Sequence, residues 1–219
     1  MAVPERPDKL RVIVFIDGQN FYNECRRIFR HGETHPHLLG EEICGSQFGT
    51  DRVLQEVRFY TGIHDSRREP LKNSYMQKRI RVMKQNDVTT FSRPLKYGEE
   101  IVEDRGQPGT YKRMWKGREK GVDVRIALDM VMMAVENKYE IASLASNDSD
   151  LEEAINDVFE IRQVAEIWMT VENVVCCQVD RSTGIEKPLP TLDSDFPMRI
   201  IPVNQAMFDR IRDDTNYWT

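Results

Sequence analysis

Acidic residues stand where apolar runs of this chain end. The run Val12-Ile13-Val14-Phe15-Ile16 stops at Asp17, and Gly18-Gln19-Asn20 follows. Far downstream, Ile141-Ala142-Ser143-Leu144-Ala145 stops at Ser146-Asn147-Asp148-Ser149-Asp150. Between them, Lys120-Gly121-Val122-Asp123 opens a long apolar stretch. In an open parallel α/β sheet the carboxyl ends of the strands form the ligand crevice. Carboxylates gathered there repel one another unless a hard cation lies between them. The pattern points to a Mg²⁺ or Mn²⁺ site serving phosphodiester chemistry, with Asp17, Asp123, Asp148 and Asp150 as the candidate catalytic acids and metal ligands.

Each acid also has a plainer reading. Asp17 suits a helix N-cap, and Asn20, one turn on, can hold its carboxylate, hold a water, or make a local hydrogen bond. One of Asp148 and Asp150 can cap the following helix, but a cap does not account for both. Two carboxylates two residues apart in a turn can converge on one cation, with the Ser146 hydroxyl and the Asn147 amide at the rim. Asp123 suits the positive end of a helix dipole. Asp129 interrupts an apolar helix face, where a carboxylate needs a partner. It lies about 120° around the helix from Asp123, so the two are not expected to bind one ion. Asp129 is expected to hold a water or pair with Lys120 or Arg125.

The elements that must position these groups alternate. Strands are predicted over Arg11 to Ile16, Val57 to Thr61, Val88 to Phe91, Tyr139 to Ala145 and Gln163 to Met169. Helices are predicted over Gly18 to Arg30, Tyr75 to Gln85, Asp123 to Glu136 and Leu151 to Phe159. Residues 31–49 read as a loop or insertion, Leu95 to Val102 as an extended segment or hairpin arm, and Glu103 to Gly121 as an exposed loop. The tail beyond Val171 carries Pro188, Pro190, Pro197 and Pro202 and reads as irregular, ending in one helix from about Asn204 to Arg212. Strands alternating with helices predict a mostly parallel sheet covered on both faces.

The 219 residues suit one α/β domain with extensions, and 40% hydrophobic with 31% charged residues is ordinary for a soluble globular chain. No apolar run reaches the length of a membrane span. Residues 1–10 read as a flexible lead-in without the apolar core of a signal peptide. A net charge of -5 excludes a uniformly basic nucleic-acid binder but not a local basic patch. Cys25, Cys44, Cys176 and Cys177 show no C-x-x-C or zinc spacing and read as reduced packing thiols of a cytoplasmic protein.

With Asp17-Gly18-Gln19-Asn20, Lys120-Gly121-Val122-Asp123-Val124-Arg125-Ile126-Ala127-Leu128-Asp129 and Ser146-Asn147-Asp148-Ser149-Asp150 in that order, the chain resembles the NYN-domain family, a branch of the PIN-like metal-dependent nucleases. Agreement at three separated blocks is far more specific than one short motif. The resemblance covers residues 11–170 and leaves 171–219 as a C-terminal extension packed on or continuing the domain. Asn147 stands where many members have a small residue, and Leu151 where Phe is frequent.

The resemblance implies an α/β fold, a PIN-like or Rossmann-like three-layer sandwich with a central, mostly parallel sheet and helices on both faces. It implies that Asp17, Asp123, Asp148 and Asp150 are metal-site acids, with Asp129 a recurrent acid of the family. It also implies RNA, single-stranded or structured, as substrate for endonucleolytic cleavage.

A substrate needs a cationic track. The densest is Tyr111-Lys112-Arg113-Met114-Trp115-Lys116-Gly117-Arg118-Glu119-Lys120. There Lys112, Arg113 and Lys116 could neutralise phosphates and Trp115 could stack on a base, and the plainer reading of the run is a solvated surface loop with one half-buried Trp. Arg93 and Lys96, after the third strand, are further phosphate contacts. The alternative is a non-catalytic RNA- or nucleotide-binding module that keeps the pocket. A haloacid-dehalogenase-type phosphatase wants a second Asp where Gln19 stands, and no G-x-G-x-x-G follows the first strand for a dinucleotide. The oligomeric state stays open, a homo-oligomer included.

Overall fold

Six consecutive buried residues, Val12 to Asp17, make β1 (Leu10–Asp17) an interior strand covered on both faces. Its side chains alternate. Val12, Val14 and Ile16 enter one core, and Ile13 and Phe15 enter the other. The computed structural model describes residues 4–45, 47–103, 106, 109–180 and 182–218. Residues 1–3 of the expected lead-in, and 104, 105, 107 and 108 of the expected loop, lie outside them.

Along the chain, α1 (Gly18–Phe29), α2 (Pro36–Ile43), β2 (Arg52–Ile63), α3 (Pro70–Gln85) and β3 (Val88–Pro94) follow β1. Then come β4 (Lys96–Glu103), β5 (Tyr111–Arg118), α4 (Val122–Val135) and β6 (Ile141–Ala145). The chain continues through α5 (Glu152–Ala165), β7 (Thr170–Val179), β8 (Glu186–Pro188), β9 (Arg199–Val203) and α6 (Gln205–Ile211). Among the described residues, seven strands form one sheet in the order β3-β2-β1-β6-β7-β8, with β9 also paired to β7. All pairings are parallel except β7 with β8. Residues of α1, α2, α3 and α6 close one core, and residues of α4 and α5 close the other, which gives three layers.

The chain steps outward from β1 to β2 and β3 and later returns to place β6 on the other side of β1. The carboxyl ends of β1 and β6 therefore flank the topological switch point, where open α/β sheets bind their ligands. Ile16 of β1 pairs with Ala145 of β6, and Asp17 pairs with Tyr60 of β2.

Four sequence expectations are corrected. Residues 31–49 contain helix α2, capped by His35, whose ring nitrogen Nδ1 accepts the Leu38 N–H at 3.4 Å, and anchored by buried Leu39 and Ile43. The strand predicted at Gln163 to Met169 is the end of α5, which stops at Glu166 with φ 53, and the strand itself starts at Thr170.

The tail beyond Val171 is not irregular. It holds most of β7, with β8, β9 and α6. Finally, the basic run is not a loop but β5, paired antiparallel with β4 in a hairpin that stands apart from the main sheet. No apolar alternation marked it because both its faces are solvated.

An isolated two-stranded ribbon is marginal in water, and this one is held at its root. Arg68 stacks 4.4 Å from the Trp115 ring centroid and 5.3 Å from that of Tyr97. The Tyr97 hydroxyl meets His64 Nδ1 at 3.0 Å. Leu95 fills the space that Gly62 and Gly117 leave by lacking a Cβ.

Candidate active site

Asp17 ends β1 as the N-cap of α1. Its Oδ1 accepts the Asn20 N–H at 3.0 Å and its Oδ2 accepts the Ser146 hydroxyl at 3.3 Å. Asp148 caps the short 3₁₀ turn Ser149–Leu151 in the same way, its Oδ1 accepting the Asp150 N–H at 3.2 Å. The capping reading and the ligand reading of these two acids are compatible, because a carboxylate oxygen with one partner keeps a free lone pair.

The two turns are tied together. The Asn147 N–H donates to Asn20 Oδ1 at 3.0 Å, and the Asp148 N–H to the Ser146 hydroxyl at 3.2 Å. Asn147 Nδ2 reaches Glu24 Oε2 at 2.6 Å, and Glu24 Oε1 accepts the Cys176 N–H at 2.6 Å. From below, Asn173 on β7 donates to the Ser146 carbonyl at 2.9 Å.

Asp123 sits in the first turn of α4, behind Gly121. That glycine has φ 76, and a Cβ on it would strike the Arg93 guanidinium. Arg93 in turn stacks 5.4 Å from the Phe91 ring centroid. Lys120 is exposed and lines a cleft of about 390 Å³ with Lys96, Arg118 and Glu119. Asp150 stands exposed on the turn at the rim.

Asp129 goes elsewhere. It is 8% exposed, and its oxygens meet Arg58 at 2.9 Å, the Tyr60 hydroxyl at 2.9 Å and Arg125 at 2.8 Å. Of the two expected partners, Lys120 and Arg125, the structure selects Arg125, four residues earlier on the same helix, with Arg58 from β2.

The sequence reading passed over Glu119. This residue lies at the hairpin root, where its carboxylate accepts the Gly62 N–H. Burial pushes it up to about 7, and the charges of Asp17 and Asp123 add to the rise. Its signal was an acid directly before Lys120-Gly121-Val122-Asp123, at the point where the basic run ends. Burial likewise raises Asp17 above the ordinary carboxylate range, against the pull of the Asn20 N–H, and the charge of Asp148 adds to the effect.

Asp17, Glu119, Asp123 and Asp148 are therefore within electrostatic reach of one another in pairs. Among the described residues, none of the four has an ion-pair partner, in contrast to Asp129. No group of three or more His, Cys, Asp or Glu among the described residues is gathered as a ready-made metal cage. The donor set still fits a hard divalent cation. It is all oxygen, Asp17 and Glu119 are raised by burial and by neighbouring carboxylates, and among the described residues no ion pair takes up its charge.

A mostly parallel sheet with helices on both faces and acids at its switch point is the architecture of a PIN-like three-layer fold, shared with other doubly wound α/β domains. The chain belongs to the NYN-domain family, whose sequence model matches residues 11–173. NYN domains are nuclease domains of the PIN-like superfamily. No curated protein matches the chain. Among solved structures, it is similar to the crystal structure of a protein of unknown function from Vibrio parahaemolyticus RIMD 2210633. That likeness has a TM-score of 0.47 and 17% identity, over 78% of this chain and 85% of that chain. Among the described residues, no helix is long and apolar enough to cross a membrane.

Proposed function

We propose that this chain is a metal-dependent endoribonuclease that hydrolyses RNA phosphodiester bonds at the acids between β1, β6 and α4. The observation that carries this reading is the set Asp17, Glu119, Asp123 and Asp148. These carboxylates converge in electrostatic terms at the switch point, and among the described residues none of them is in an ion pair.

Asp17 and Asp148 would hold a Mg²⁺ or Mn²⁺ ion, with Glu119 and Asp123 at its other side and Asp150 at the rim. When bound, such an ion acts as a Lewis acid and lowers the pKa of a bound water. The Asn20 N–H and the Ser146 hydroxyl fix the orientation of the Asp17 carboxylate. Asn147, held by Asn20 and Glu24, sets the turn that carries Asp148. Lys96 and Lys120 line the cleft beside Glu119, with Arg118 paired to Glu100, and would neutralise phosphates of the strand, with Arg93 a further cation at the start of α4.

The test is cleavage of a labelled single-stranded RNA with Mn²⁺ or Mg²⁺. Wild type is expected to cut it internally, with activity lost in EDTA and in Asp148→Asn. Binding of RNA without cleavage over several RNA and DNA substrates would leave a binding module that keeps the pocket.

A further inference from the structure

A second cavity, of about 500 Å³, opens beside the acids on the α1 and α3 side of the sheet. It begins at Gly18 and Gln19, which directly follow Asp17, and at Thr61, next to the Gly62 whose N–H holds Glu119. Its size lies in the range of small-ligand sites, roughly 300–1,000 Å³.

The walls combine two chemistries. Tyr22, Tyr75 and Trp218 supply aromatic surface. The Tyr75 and Trp218 rings pack at 4.5 Å between centroids, and Trp218 is still 59% exposed, so ring surface stays open to a further planar group. Arg26 supplies positive charge, and Lys72, whose ammonium also meets Glu69 at 3.2 Å, supplies a second, partly offset cation. Arg26 has the Tyr22 hydroxyl at 3.5 Å and no carboxylate partner among the described residues. The acid in the wall, Glu33, is already taken by Arg79 and by the Tyr75 hydroxyl, so it does not cancel this charge.

Aromatic faces with flanking cations, next to a phosphodiester site, fit a nucleotide. We propose that this cavity binds one unpaired nucleotide of the RNA strand adjacent to the scissile phosphate. The base stacks on Trp218 and Tyr22, and the phosphate is held by Arg26 and Lys72. The identity of the strand rests on the ribonuclease reading; the cavity and its chemistry do not. A duplex cannot enter, because a paired base has both its faces stacked and its edge engaged. The site therefore selects single strands.

The test measures binding without cleavage. A fluorescent single-stranded hexaribonucleotide is titrated into metal-free protein in EDTA, followed by anisotropy, for wild type, Trp218→Ala, Trp218→Phe and Arg26→Ala. Trp218→Ala is expected to weaken binding about tenfold or more, with Trp218→Phe retaining most of it. Arg26→Ala is expected to weaken binding and reduce the salt slope by about one. Both side chains are exposed, so thermal midpoints should stay at the wild-type value. A duplex of equal length should show no difference between the proteins.

Wild-type affinity in both alanine variants overturns the subsite, as does failure of the wild type to bind the single strand at all. Loss of binding in the variants, in a wild type that binds RNA but never cuts it with Mn²⁺, upholds the subsite and removes the nuclease reading alone.

Discussion

Asn20 and Asn147 are 127 residues apart in the chain, yet the side-chain oxygen of the first accepts the backbone N–H of the second at 3.0 Å. This one bond joins the turn after β1 to the turn after β6, and so sets Asp17 against Asp148. Replacing Asn20 with Ala leaves a half-buried N–H without its acceptor. The expected cost is about 1–3 kcal/mol in urea unfolding. Mn²⁺ affinity, read by electron paramagnetic resonance, should fall with it. Affinity unchanged at reduced stability would make Asn20 a structural tie only.

Asp129 should behave in the opposite way. Removing it leaves the Tyr60 hydroxyl and Arg125 without this acceptor, while Arg58 keeps Glu56 at 2.7 Å. Asp129→Ala is expected to lose about 1–3 kcal/mol of stability. The Mn²⁺ affinity of the remaining folded protein should equal that of wild type. A selective loss of metal binding would place Asp129 in the ion site.

Glu119 gives the metal-free protein a pH dependence. Its pKa rises from the ordinary 4.5 to about 7 on folding. The folded state thus binds this proton more tightly, so its contribution is most favourable below 4.5 and is lost as pH rises through 7. In EDTA, Glu119→Gln is expected to raise stability at pH 8 by about 1–3 kcal/mol and to change nothing at pH 4. Added Mn²⁺ should reverse the order at pH 8, stabilising wild type more than the variant. Equal melting of the two proteins at every pH would contradict a buried charge at the hairpin root.

The hairpin divides its basic residues between two faces. Cross-strand partners put Lys96, Lys112, Lys116 and Arg118 on one face, and Arg113, Trp115 and Tyr97 on the other. Trp115 is engaged by Arg68. We expect the lysine face to carry the phosphates. Lys112→Ala with Lys116→Ala should lower the slope of log affinity against log salt by about two, and Arg113→Ala should leave it near the wild-type value. Equal effects from both faces would mean that the strand wraps the ribbon.

The sequence showed most where one physical signal dominated. The unbroken apolar run Val12 to Ile16 marked β1 because both its faces are buried, and Asp17 and Asp148 stood out because each closely follows such a run. It showed least where tertiary partners replaced periodicity. Strand β7 was misplaced because Glu172 and Asn173 interrupt it. Glu172 is buried in an ion pair with Arg52, and Asn173 holds two carbonyls of the neighbouring strand end. Strand β5 was hidden because, among the described residues, it pairs only with another exposed strand. Arg125 was legible as a partner of Asp129 because it lies one helical turn away. Arg58 was not, since it reaches across from β2, 71 residues earlier.

The strand order also has a consequence for synthesis. Asp17 leaves the ribosome 129 residues before Ser146, an interval on the order of ten seconds. Within that interval β1 can pair with β2, and β2 with β3, but the edge where β6 belongs stays open, and the carboxylate of Asp17 has neither Ser146 nor Asp148 beside it. The pairing of Asp17 with Ser146 and Asp148 therefore waits until the turn after β6 has been made.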